Sequence, residues 1–131
     1  MRVIVDTSIW SLSFRRKKNP NIENEIKLKK LILEGNIVLL GPIRQEILSG
    51  IKDKSQFDLL KSNLRVFPDF PIVEKDFETA AEFFNLCRSK GIQGSNTDFL
   101  ICAVASNNNF PIFTSDKDFD NYKKILTIRL F

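Results

Sequence analysis

The sequence predicts an α/β fold with a mainly parallel central sheet flanked by helices on both faces. Three observations carry that expectation. Short apolar runs, the first being Val3-Ile4-Val5, recur along the 131 residues. Amphipathic stretches with helical spacing lie between them. One later stretch, Thr97–Asn107, is apolar on nearly every side, as a helix at the centre of a domain would be.

The elements follow in order. Arg2–Val5 reads as a buried strand that runs straight into Asp6. Thr7 or Ser8 can cap a short helix carrying Trp10 and Phe14. Arg15–Asn21 is a basic loop containing a proline. Ile22–Glu34 places Ile22, Ile26, Leu28, Leu31 and Ile32 among lysines, an amphipathic helix stopped by Gly35. Asn36–Leu40 is a second strand, broken by Gly41-Pro42, with Pro42 suited to a first helical turn. Ile43–Ile51 and Ser55–Phe67 read as helices and Pro68–Val73 as extended chain. Lys75–Lys90 is a helix closed by Gly91, and Gly91–Asn96 is a turn into Thr97–Asn107. Phe110–Thr114 is a strand, Lys117–Lys124 a short helix and Ile125–Leu130 a last strand. No second domain, repeat or low-complexity tract interrupts residues 1–131.

Composition excludes several chemistries. The chain has no histidine, which removes Ser-His-Asp and Cys-His catalysis and every His-ligated zinc site. Its two cysteines, Cys87 and Cys102, sit in apolar helical pattern with no CxxC spacing, so they read as small buried hydrophobes in a reducing cytoplasm. No secretory leader is read at the start, and the longest apolar run, Phe99–Ala105, falls far short of the roughly 20 residues a membrane helix needs. Twenty Lys and Arg against 16 Asp and Glu give a net charge of +4, compatible with a nucleic-acid partner or with ordinary solubility.

The acids are placed more tellingly than the bases. Asp6 ends the first strand, Glu46 lies early in the helix after the second, Asp98 opens the apolar helix, and Asp116 follows the strand Phe110–Thr114. In parallel sheets ligands bind beyond the carboxyl ends of the strands, where at least Asp6, Glu46 and Asp116 would gather. Singly each has a plain structural role: a turn cap, a helix-dipole partner or a solvated face. Together they form an oxygen-only cluster that repels itself unless a cation neutralises it, and such clusters suit Mg²⁺ or Mn²⁺.

The segments "IVDTSIW", "PIRQEILSG" around Glu46, "GSNTDFLICAVA" and "IFTSDKDF" resemble, in this order, the PIN-domain ribonucleases, and among them the VapC toxins of toxin–antitoxin pairs. The resemblance spans essentially the whole chain. It implies a PIN-domain fold in which Asp6, Glu46, Asp98 and Asp116 hold one or two Mg²⁺ or Mn²⁺ ions, with Asp118 as the competitor to Asp116. Thr7, Thr114 and Ser115 would orient carboxylates through their hydroxyls. The implied activity is metal-dependent hydrolysis of RNA phosphodiester bonds by metal-activated water, with tRNA or rRNA as the expected target. A cognate VapB-like antitoxin and a homodimer are the other expected partners. Phe99 and Cys102 depart from the smaller or aliphatic residues common in the family.

Arg15, Arg16 and Arg44 stand beside the presumed ligands and are expected on substrate phosphates. Lys27, Lys29 and Lys30 read as a solvated face. Trp10 and Phe14, spaced i and i+4, with Ile51 and Phe57 opposite, are expected to line an apolar groove for an antitoxin helix. The competing reading is a catalytically silent PIN-like scaffold that binds RNA or protein. A flavodoxin-like signalling domain lacks its acidic pair here, and a nucleotide-binding enzyme lacks its Gly-rich loop.

Overall fold

The computed structural model describes residues 1–14 and 22–131. Its elements are β1 (Val3–Val5), α1 (Thr7–Ser13), α2 (Ile22–Leu33), β2 (Ile37–Val38), α3 (Gly41–Leu48), α4 (Lys54–Leu64), α5 (Glu74–Ser89), α6 (Asn96–Asn108), β3 (Ile112–Phe113) and α7 (Asp118–Lys123). The sheet is parallel throughout, in the order β2-β1-β3. Ile4, at its centre, pairs with Val38 on one side and Ile112 on the other. Val3, Ile4 and Val5 are all fully buried, odd and even positions alike, so both faces of β1 are covered. Burying each of these side chains is worth roughly 1.5–3 kcal/mol relative to exposure. Because all three strands run the same way, Asp6 after β1, Gly41 shortly after β2 and Thr114 after β3 lie at one edge.

The expected punctuation holds. Gly35 and Gly91 follow α2 and α5 with φ of +69° and +77°, a left-handed conformation that glycine reaches without a Cβ clash. Several expected elements are shorter, the strands over Asn36–Leu40 and Phe110–Thr114 among them, and two shorten for a reason visible in the backbone. The helix expected over Ile43–Ile51 ends at Leu48, because Ser49 is extended (ψ 133°) and Gly50 turns at φ +88°. The strand expected over Ile125–Leu130 reduces to a single bridge between Leu130 and Ile112. Its first residues are held elsewhere: the N–H groups of Ile125 and Leu126 both donate to the Tyr122 carbonyl and keep the chain turning after α7. On the opposite edge, Leu39 bridges Asp69 in parallel.

The core runs through the sheet and α6, whose Phe99, Ile101, Cys102, Ala103, Val104 and Ala105 are buried. Phe99 and Cys102, the departures from family pattern, are thus packing residues. Cys87 and Cys102 are free and buried, and burial pushes both thiols up. Lys27, Lys29 and Lys30 form exposed i,i+4 ion pairs with Glu23, Glu25 and Glu34, the solvated face expected of them. Asp76 was not singled out by sequence. It is 2% exposed, opens α5, and takes the Val73 N–H at 3.0 Å and Asn107 Nδ2 at 2.9 Å, tying α5 to the end of α6. No helix among the described residues is long and apolar enough to cross a membrane.

Candidate metal centre

Asp6 is set by the sheet. Its N–H donates to the Phe113 carbonyl at 2.9 Å, extending the β1–β3 pairing by one residue. Its own carbonyl starts α1, accepting from Ile9 and Trp10. The side chain takes no part in that cap. Instead Oδ2 accepts from Ser8 Oγ at 2.9 Å and Thr114 Oγ1 at 2.8 Å, in a site that leaves Asp6 only 6% exposed. A plain turn cap would spend the carboxylate on backbone N–H groups; here it is oriented by hydroxyls.

Asp98 reaches the same edge from α6. Ser95 caps that helix by accepting the Asp98 N–H at 3.0 Å, which fixes Asp98 in the first turn. Its Oδ2 accepts from the Tyr122 hydroxyl at 2.7 Å. Asp116 and Asp118 come from the segment after β3. The Asp116 N–H donates to Thr114 Oγ1, and Asp116 Oδ1 accepts the Asp118 N–H at 2.9 Å. So Asp116 both joins the cluster and shapes the turn into α7. Asp98, Asp116 and Asp118 each bring a carboxylate oxygen within 4.8 Å of the others. Both Asp116 and Asp118 therefore lie beside Asp98.

Glu46 is exposed on α3 and receives the Thr7 hydroxyl at 2.7 Å, which links it to the residue next to Asp6. Thr7 thus donates to Glu46 and Thr114 to Asp6. Ser115 contributes its backbone N–H, which donates to Ser8 Oγ at 3.0 Å. Two supporting residues escaped sequence reasoning. Ser8 lies two positions past Asp6, a spacing that offers it as a local donor. Tyr122, four positions past Asp118, shares its side of α7.

Burial pushes the Asp98 carboxyl above its ordinary value, and the charges of Asp6 and Asp116 push it the same way, while the Tyr122 hydroxyl opposes them. Burial also pushes the Tyr122 phenol far up, so it remains a donor. Among the described residues, no Lys or Arg lies within ion-pair distance of Asp6, Glu46, Asp98, Asp116 or Asp118. Clustered acids with no cation beside them among the described residues are a donor set that fits a hard divalent ion.

Other expected contributors are placed differently. Arg15 and Arg16 lie outside the described residues. Arg44, expected on phosphate, has its guanidinium committed to the protein: Nε pairs with Asp69 Oδ1 at 2.8 Å, Nη1 donates to the Leu64 carbonyl at 3.1 Å and Nη2 to the Phe67 carbonyl. It staples α3 to the chain leaving α4. Trp10, expected to line a groove, is 3% exposed, donates Nε1–H to the Val5 carbonyl at 3.1 Å and packs against Phe67. Though nearly buried, Trp10 still lines, together with Phe14, Leu28, Ile32, Leu60 and Phe67, an apolar groove of about 310 Å³. Phe14 is 43% exposed and, with Ile51, Leu59 and Leu60, lines an apolar groove of about 240 Å³. Phe57 does not line it; Leu59, 64% exposed, takes that place.

A PIN domain model matches residues 3–125 of the chain. The chain belongs to the PIN domain family. PIN proteins are typically metal-dependent nucleases, in keeping with an acidic cluster at the strand ends. Among solved structures, this PIN domain is similar to VapBC2 from Rickettsia felis bound to a DNA fragment from its promoter, with a TM-score of 0.80 at 20% identity over 100% of this chain and 98% of that one. FitAcB from Neisseria gonorrhoeae gives a TM-score of 0.79 at 20% identity, covering 98% and 96%. VapBC-1 from nontypeable Haemophilus influenzae gives 0.70 at 16%, covering 96% of each. At such identities the likeness is one of fold. No curated protein matches the chain in sequence.

Proposed function

We propose that this PIN domain is a Mg²⁺- or Mn²⁺-dependent endoribonuclease, the toxin of a VapBC-type pair. The observation that carries the proposal is the convergence of Asp98, Asp116 and Asp118 beside the hydroxyl-oriented Asp6, with no protein cation among the described residues to balance them. Asp98, Asp116 and Asp118 would hold the ion, with Asp6 on the buried side and Glu46 at the rim. When bound, the ion would supply a Lewis acid that activates water and offsets charge on the scissile phosphate. The chain's own contribution is placement. Thr114 and Ser8 hold Asp6, Ser95 holds Asp98 through its backbone, and Thr7 holds Glu46.

The resemblance to VapC toxins also supports an antitoxin partner. The groove of Phe14, Ile51, Leu59 and Leu60 has the apolar character an amphipathic helix requires.

The test is cleavage of structured RNA by purified protein with Mg²⁺ or Mn²⁺, beside double-stranded DNA as control. RNA should be cut, DNA spared, and EDTA should stop the reaction. Undiminished cutting in EDTA would exclude the metal reading. Metal binding without cleavage of any RNA would favour the silent scaffold.

A further inference from the structure

We propose that Tyr122 and Gly94 act together as a positioning device for Asp98, fixing the angle at which its carboxylate meets Asp116 and Asp118. The inference rests on the metal-dependent reading above. Tyr122 is fully buried, and its hydroxyl lies 2.7 Å from Asp98 Oδ2. Its ring is wedged between Phe99, with centroids 5.1 Å apart, and Phe119, at 5.2 Å. A ring held on both sides delivers its hydroxyl to one place.

Gly94 makes that place available. A Cβ built on Gly94 would lie 2.4 Å from the Tyr122 hydroxyl oxygen and 2.9 Å from two atoms of the Phe99 ring. Gly94 is not among the glycines with positive φ, so its backbone does not demand glycine. The demand is for space beside the phenol. Neither neighbour can yield cheaply, since Tyr122 is fully buried and Phe99 is 1% exposed. The turn before α6 thus carries glycine where the Asp98 donor needs room.

Residues that orient metal-ligating carboxylates typically govern affinity as the ligands themselves do. The experiment is Mn²⁺ titration of the intact protein by electron paramagnetic resonance, with metal-free thermal unfolding alongside. Tyr122→Phe keeps the ring and removes the donor; Gly94→Ala displaces it. Each should weaken Mn²⁺ binding by about 10- to 100-fold. Phe84→Leu trims the ring that meets Phe99 edge-on and leaves the hydroxyl alone. It should lower metal-free stability and keep wild-type affinity. Tyr122 is the chain's only tyrosine, so the near-ultraviolet difference between wild type and Tyr122→Phe separates its band from that of Trp10. That band should shift on Mg²⁺ addition with the binding midpoint. Tyr122→Phe binding within about twofold of wild type would overturn the positioning role and leave the nuclease reading standing. Equal losses in Phe84→Leu and Tyr122→Phe would reduce Tyr122 to packing. Wild-type protein that binds no Mn²⁺ would overturn both readings.

Discussion

Thr114 Oγ1 lies 2.8 Å from Asp6 Oδ2, joining the ends of two adjacent parallel strands that are 108 residues apart in sequence. The same hydroxyl oxygen accepts the Asp116 N–H at 3.0 Å. One threonine therefore sets a buried carboxylate and the first residue of the acidic turn. Thr114→Val should lower metal-dependent cleavage by about 10- to 100-fold, as loss of a ligand-orienting group does, and cost about 1–3 kcal/mol of stability for the unmade hydrogen bonds. Thr114→Ser should restore most of both. Kinetics and denaturant unfolding of the two variants check this, and a serine variant as impaired as valine would assign the effect to the lost methyl group.

Asp98 gives a pH dependence with a definite sign. Its carboxyl is pushed above its ordinary value of 3.8, first by burial and then by Asp6 and Asp116. The folded state therefore holds that proton more tightly than the unfolded chain. Asp98 contributes stability that is fully present below 3.8 and lost as pH rises through its raised value. Without metal, the wild type should lose stability relative to Asp98→Asn as pH climbs from the acid side towards neutrality. Asparagine still offers Tyr122 an acceptor, so the fold should survive while cleavage is abolished. Parallel unfolding curves at all pH values would show that Asp98 is not under the strain of its neighbours.

What the sequence made readable, and what it hid, follows from the range of the interactions. Val3-Ile4-Val5 before Asp6 announced a buried strand ending in a site because both signals are local. Gly35 and Gly91 announced helix ends because a positive φ is a property of one residue. The i,i+4 spacing of Trp10 and Phe14 names a shared face, and both line one groove, but it does not say that Phe67, which lines that groove too, packs against Trp10. Arg44 looked like a phosphate ligand because its partners are the Leu64 and Phe67 carbonyls, which no side-chain pattern reveals. Tyr122 and Gly94 gain meaning only when α6, α7 and the turn between α5 and α6 come together. The last strand dissolved because Tyr122's carbonyl captures the N–H groups that would have started it.

Arg44→Lys tests the staple against the phosphate role. Lysine keeps the charge and loses the planar fork that reaches Asp69, Leu64 and Phe67 at once. The carbonyls of Leu64 and Phe67 would lose their charged donors, at a cost of about 1–3 kcal/mol. The KM for RNA should stay at the wild-type value. A raised KM with unchanged stability would return Arg44 to the substrate surface.

The groove offers the sharpest test of the antitoxin partner. Phe14 and Leu59 are 43% and 64% exposed and line it; Trp10 lines the adjoining groove that shares Phe14 and Leu60, and Phe57 lines neither. Neither lining residue touches the acids, so partner binding and RNA cleavage should separate. Leu59→Asp places a charge where an apolar helix face would have to bury it, and an unpaired buried charge is costly. The variant should fold normally, because Leu59 is exposed, and should keep metal-dependent cleavage. Its affinity for the cognate antitoxin should fall by at least about 30-fold, the equivalent of a 2 kcal/mol hot spot. Phe14→Ala should act in the same direction, and Phe57→Ala should leave affinity unchanged. Calorimetric titration of the three variants with purified antitoxin reads all of this. An unaltered affinity in Leu59→Asp would move the antitoxin to another face, while a loss in Phe57→Ala alone would place the groove on the far side of α4.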